Sequence, residues 1–173
     1  MTENIIRTVD ITNSIDECKD IKTITFNMKD ENKNYIPPKP GQFVMIWVPG
    51  VDEVPMSISD CDTNGNWSIT VKNIGECTNA IFNLKIGDYI GVRGPLGNWF
   101  ELPEEKSKNI FLIGGGIGMA PLRFLTQELV KHKIPFILIQ GAKIKNELMF
   151  TTQLQKLDKN SSDIFFWSLV LFF

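Results

Sequence analysis

A block of four glycines, Gly114-Gly115-Gly116-Ile117-Gly118, stands between the apolar stretch Ile110-Phe111-Leu112-Ile113 and the segment Met119-Ala120-Pro121-Leu122. This order narrows the fold of that region to a strand that ends at the first glycine and turns sharply into a helix. Pro121 falls near the helix start, where its missing N–H does no harm, and Leu122, Leu125 and Leu129 recur on one face. Glycines at such a corner let the backbone approach a ligand, and the helix that follows aims free N–H groups at an anion. A diphosphate is the natural guest. Close helix–sheet packing also selects glycine, so the corner by itself defines a shape before it defines a ligand.

The same grammar continues downstream. Ile134–Ile139 reads as the next buried strand, and Glu147–Leu157 as a helix with Phe150, Leu154 and Leu157 on one side. Strand, helix, strand, helix builds a parallel sheet. Residues 108–173 are few for a complete nucleotide-binding unit, which takes about 100 or more, so this part is expected to be partial. The segment Ile164–Phe173 is nearly all apolar. It reads as a third strand or as an abnormal end left by truncation or frameshift, with truncation favoured; it is short for a membrane anchor.

Residues 1–103 follow a different pattern, short strands between turn residues. Ile24, Phe26 and Met28 alternate with Thr23, Thr25 and Asn27, the period of a half-buried strand. Lys33–Pro40 breaks it with three prolines, and Phe43–Val48 is a continuous apolar run expected to be a strand buried on both faces. Trp67, Ile69 and Val71 alternate with polar residues after the Asn64-Gly65-Asn66 turn, a hairpin signal. Thr78–Leu84 predicts a short helix and Tyr89–Val92 another strand. The expected architecture is a small antiparallel β-barrel over residues 1–103, a charged linker from Pro103 to Lys106, and a partial parallel-sheet α/β domain over 108–173.

Charge and cysteine usage remove several function classes. Lys and Arg total 18 against 20 Asp and Glu, without the cationic surplus that holds a nucleic-acid backbone. The cysteines Cys18, Cys61 and Cys77 are odd in number and far apart, which suits neither a disulfide framework nor a metal or iron–sulfur site. No metal site is expected, and a reducing, cytoplasmic setting is. No signal-peptide pattern or run of about 20 apolar residues points to export or to a membrane.

Three blocks in order, Pro55-Met56-Ser57-Ile58-Ser59, then Gly75-Glu76-Cys77-Thr78 with Gly94-Pro95-Leu96-Gly97-Asn98, then Gly114–Leu122, resemble the ferredoxin–NADP reductase superfamily. The wording is most similar to the branch that serves dihydroorotate dehydrogenase as electron-transfer subunits, and the resemblance covers about residues 5–157. It implies a flavin-binding barrel followed by a nicotinamide-binding α/β domain. It also implies FAD as cofactor, NAD(P)H as electron donor, and a catalytic dihydroorotate dehydrogenase subunit of pyrimidine biosynthesis as partner. Under the resemblance Ser57 offers its hydroxyl near the reactive flavin nitrogen, and Pro55, Met56 and Ile58 lie along the ring. Thr70, Val71 and Lys72 line the adenine and ribose, and Gly75, Cys77 and Thr78 meet the diphosphate. Gly115, Gly116, Gly118, Met119 and Pro121 then form the nicotinamide side.

Two departures stand out. An arginine usually opens the first block and pairs with the flavin diphosphate, whereas this chain has Val54 there, after Glu53; Lys72 or Arg93 is expected to supply the charge. The branch also carries a cysteine cluster for a 2Fe–2S centre, which these three cysteines do not form. His132 falls among lysines at a helix end and reads as surface, Lys143 as a solvated loop residue, and Trp47, Trp67 and Trp99 as barrel packing. Rival readings are a reductase subunit for another partner, such as a hydrogenase or oxygenase, and a redox-inactive module that only holds a partner.

Overall fold

A computed structural model describes residues 5–29, 36–103, 109–158 and 164–170. Six strands close into an antiparallel barrel: β1 (Arg7–Cys18), β2 (Ile21–Asn27), β3 (Phe43–Trp47), β4 (Glu53–Cys61), β5 (Asn66–Lys72) and β6 (Tyr89–Leu96). Around the barrel they run β1-β2-β5-β4-β3-β6, and β6 pairs back onto β1 through Arg7↔Val92 to Asp10↔Tyr89. Closure leaves the barrel without a free edge. Its interior is filled by Ile11, Ile24, Phe26, Ile46, Ile58, Trp67, Ile69 and Val92, all buried. The short helix α1 (Glu76–Asn83) packs Ile81 into the same core.

Several expectations change here for physical reasons. β3 is buried on one face only: Val44 and Ile46 are enclosed, Phe43 and Met45 are half-buried, and Trp47 is 40% exposed. A barrel strand has an outside, and an unbroken apolar run does not remove it. Trp67 is barrel packing as expected, but Trp99 is exposed and lies under the Lys39 ammonium, 3.8 Å from its ring centre. β1 escapes the sequence reading because its register shifts after Ile11 and again after Asp16, and each bulge turns the period-2 pattern over.

The second layer is parallel. Strands β7 (Phe111–Gly115), β8 (Phe136–Ala142) and β9 (Ile164–Val170) lie side by side in that order. Helices α2 (Met119–Lys131) and α3 (Thr151–Asp158) complete the βαβαβ series. The apolar segment after Ile164 is thus a third strand over 164–170, with 171–173 outside the described residues, as are 104–108 of the expected linker. Strand β7 runs through Gly114 and Gly115 rather than ending at the first glycine, because both continue the ladder with β8 as Gly114↔Gln140 and Gly115↔Gly141. Helix α3 starts at Thr151, later than expected. Lys145–Glu147 forms its own 3-10 turn, and Phe150 sits at φ 58°.

Helix α2 is the wall shared by both layers. Leu125 and Leu129 face the sheet with Leu112, Phe136 and Leu138, while Phe124 enters the barrel core. The helix stops in a Schellman turn: Ile134 N–H donates to the Leu129 carbonyl at 2.9 Å, and Lys133 N–H to that of Val130 at 3.0 Å, with Lys133 at φ 55°. His132 caps this end, exposed as expected and 3.5 Å from Glu128.

Candidate functional site

The candidate site is built where β4 changes partner. Its first half pairs with β3, Ser57 opposite Phe43 and Pro55 opposite Met45, and its second half pairs with β5 after a bulge between Ile58 and Asp60. Ile58 N–H turns to the Gln42 carbonyl at 3.1 Å, and the Gln42 side chain ties Lys39 N–H to the Gly97 carbonyl at 2.9 and 3.0 Å. The Gly94–Gly97 end of β6 is thereby held to the start of β3. Along β4 Pro55 is exposed, Met56 and Ser57 are half-buried, and Ile58 is fully enclosed. The Ser57 hydroxyl has no hydrogen-bond partner among the described residues, so it is available to a ligand. Ile58, by contrast, is core and presents only backbone.

Helix α1 begins at Gly75, which is extended at φ −155°. The Thr78 hydroxyl accepts from the N–H groups of Ile74 and Gly75 at 3.1 and 2.9 Å and donates to the Gly75 carbonyl at 3.0 Å. Its role is therefore to hold the helix start rather than to touch a ligand. The N–H groups of Glu76, Cys77 and Thr78 open the helix without intrahelical acceptors and form a donor set for an anion. On β5, Thr70 is buried and its hydroxyl is committed to Ser59 at 3.0 Å and Thr23 at 2.9 Å; Val71 points into the core. Of the three residues expected at an adenine and ribose, only Lys72 presents a side chain to solvent.

Both halves of the glycine corner have a structural reason. A Cβ on Gly114 would stand 2.7 Å from Leu122 Cδ1 and from Met119 Sδ, so glycine lets α2 close onto β7. Gly116 adopts φ +52° with open space around it, and the 3-10 turn Gly116–Gly118 lies against β5. Gly115 and Gly118 are exposed and Pro121 is half-buried. Met119 departs from the expectation: it is fully buried in the second core and offers a ligand only its backbone.

The missing arginine is not replaced by Arg93. Ile46 stands between Val54 and Val92 in the ladder, and Met45 stands between Pro55 and Arg93, so Val54 and Arg93 lie on opposite faces of the sheet. On the outer face Arg93 holds Glu53 through two hydrogen bonds, Nε to Oε1 at 3.1 Å and Nη2 to Oε2 at 2.8 Å. Lys72 remains the candidate cation.

Sequence reasoning missed the polar seam between barrel and helix. Arg123, 9% exposed on α2, donates from Nη2 to Asp60 Oδ2 on β4 at 2.8 Å. A hydroxyl chain runs from Glu17 through Thr23 and Thr70 to Ser59, and Glu17 also accepts from Gln153 on α3. No local pattern announces contacts made between residues this far apart in sequence. A polar hollow of ≈ 370 Å³ opens on the barrel between Thr12, Thr25, Asp60 and Asn66, away from the expected site residues. Among the described residues no three His, Cys, Asp or Glu side chains cluster as metal ligands, and no helix is long and apolar enough to cross a membrane.

Comparison with known proteins agrees with this geometry. Residues 8–100 match the family model described as the oxidoreductase FAD-binding domain. A probable dihydroorotate dehydrogenase B (NAD(+)) electron transfer subunit of Methanocella arvoryzae is 40% identical over 136 residues, 79% of this chain and 48% of that protein. The protein of the same description from Methanothermobacter thermautotrophicus is 34% identical over 160 residues, 92% of this chain and 57% of its own length. The chain thus spans about half the length of the curated relatives it matches. Among solved structures, a flavohemoglobin from Malassezia yamatoensis with bound FAD and heme superposes with TM-score 0.84 at 19% identity, covering 96% of this chain and 46% of that one. A ferredoxin-NADP+ reductase from Plasmodium falciparum with 2'P-AMP gives 0.81 at 19% identity, covering 97% and 73%. These likenesses show the fold: a flavin-type barrel followed by part of a nucleotide-binding α/β layer.

Proposed function

The chain belongs to the oxidoreductase FAD-binding domain family, and on that premise we propose that it is an electron-transfer flavoprotein component that passes electrons from NAD(P)H through FAD to a catalytic dihydroorotate dehydrogenase subunit. Two observations carry the flavin part: a Ser57 hydroxyl on β4 that is unpartnered among the described residues, and the open N-terminus of α1, which packs on the neighbouring strand β5. The likeness to named electron transfer subunits supports the choice of partner.

In this reading residues 1–103 hold the flavin and residues 108–173 approach it from the nicotinamide side. Bound FAD supplies the chemistry, accepting a hydride and releasing electrons one at a time. The protein's part is orientation and electrostatics. Met56 presents apolar surface to a flat ring, Ser57 donates or accepts at one ring atom, and the N–H groups of Glu76, Cys77 and Thr78 neutralise part of a diphosphate charge. Lys72 offsets a further part of that charge. Gly115, Gly116 and Gly118 leave a backbone surface that a second nucleotide can approach without side-chain obstruction. The setting we infer is the cytoplasm.

The test is an absorbance spectrum of the purified protein followed by titration with FAD. A flavin spectrum, or saturable quenching of added FAD, is expected, and Ser57→Ala should slow reduction of the bound flavin while leaving uptake near wild type. Colourless protein that ignores FAD overturns the proposal in favour of a redox-inactive module.

A further inference from the structure

We propose that Asp60 and Arg123 form a positioning pair that sets where the glycine corner stands relative to the Ser57 strand; its consequence for flavin reduction rests on the reading above, its consequence for the corner itself does not. Arg123 belongs to α2, the helix that the corner opens, and Asp60 belongs to β4, the strand that carries Ser57. Their 2.8 Å contact is the ion pair, among those described, that joins barrel to helix. Asp60 follows Ser57 by three residues, about 10 Å of strand, and Arg123 follows Gly118 by five, about 7 Å of helix. A slide of α2 along β4 therefore moves the corner against Ser57 one for one.

The energetics favour a positional role over a stabilising one. The guanidinium is nine-tenths buried, and its Nε and Nη1 find no partner among the described residues; one turn on, Gln127 Oε1 is likewise enclosed and unpaired. A buried ion pair with donors left unmet is no better for stability than two well-packed apolar side chains, whereas its direction is fixed. The guanidinium also lies over the Phe150 ring, 5.0 Å from its centre, so the pair ties β4, α2 and the start of α3 at one point. Next to it Phe124 enters the barrel core, where apolar contact resists separation but tolerates sliding far better than a charged hydrogen bond does.

Backbone amide exchange on the full chain, with and without FAD, tests the pair directly. In Asp60→Asn the amides of residues 115–120 should exchange about tenfold faster while β2 and β5 keep their protection, and Asp60→Glu should recover most of the loss. On FAD-loaded protein, Asp60→Asn should lower the limiting rate of reduction by NADH by as much as about 10²-fold, with reduction by dithionite and FAD affinity unchanged. If Asp60→Asn fails to fold, Arg123→Met, which fills the same space without charge, replaces it. Unchanged exchange at 115–120 in the folded variant overturns the proposal whatever the flavin does. A wild-type chain that takes up no FAD refutes the flavin reading, and the exchange result still decides the pair.

Discussion

Glu53, Val54 and Arg93 show how much one position's face matters. By spacing alone Arg93 could supply the charge that Val54 lacks, but strand alternation sends the two side chains to opposite sides, and Glu53 already holds the guanidinium at 2.8 Å. An arginine at position 54 would stand on the same face as Met56. Val54→Arg is therefore expected to tighten FAD binding about tenfold, the worth of one charge-assisted hydrogen bond, whereas Arg93→Gln should leave it within error; fluorescence titration of FAD checks both. A second residue-scale expectation concerns Cys61. Burial first, and then the neighbouring Asp60 and Asp62 carboxylates, push its thiol up to about 12 from an ordinary value of 9.0. At pH 9 only about one molecule in a thousand then carries the reactive thiolate. Iodoacetamide at that pH should leave Cys61 unlabelled in the folded chain and label it after denaturation, as read by peptide mass mapping. The sign follows for stability: the neutral thiol favours the fold below pH 9, and that contribution fades as pH rises toward 12.

Elements were legible where one local force dominates. The Asn64-Gly65-Asn66 turn joins β4 to β5 as its residues demand, α1 and β6 form in the expected stretches although α1 starts two residues earlier, at Glu76, and β6 runs on to Leu96, and the strand-to-helix corner forms as glycine allows. They were not legible where the barrel imposes its own geometry: the bulges that hide β1, the solvent that half of β3 meets, and the left-handed Phe150 that delays α3 all answer to tertiary closure. Within the corner the glycines separate by function. Gly114 is spared a side chain by packing, since its Cβ would meet Leu122 and Met119, so Gly114→Ala should destabilise by about 1–3 kcal/mol. Gly118 has φ −61° and nothing within 4 Å of a Cβ, so Gly118→Ala should leave the midpoint of thermal unfolding unchanged or slightly raised. Thermal denaturation of the two variants separates the roles. If Gly118→Ala also impairs reduction by NADH at unchanged stability, the open space beside it is the approach path of the donor.

Across the whole molecule the succession of a barrel and an α/β layer was legible in the change of pattern along the chain, yet the interlocking of the two was not. Ile21, a barrel-strand residue, is buried in the second core with Leu129 and Phe136, and Phe124, an α2 residue, is buried in the first. Glu17 on β1 accepts from Gln153 on α3, and Asp60 meets Arg123 across the same seam. Such exchanges join residues up to 136 positions apart, a separation at which sequence pattern carries no signal. Their consequence is cooperative. Removing either layer would expose apolar surface of the other at about 25 cal/mol per Å², so the two are expected to melt together rather than in sequence. In a chain whose Trp47, Trp99 and Trp167 are replaced by Phe, Trp67, enclosed in the barrel, reports one layer through its fluorescence, and circular dichroism at 222 nm is weighted toward α2 and α3 in the other. Coincident urea midpoints from the two signals are the expected result. A barrel signal that survives after the helical signal is lost would mean that α2 is an appendage and not the common wall, and Phe124→Ala should then shift the helical midpoint alone.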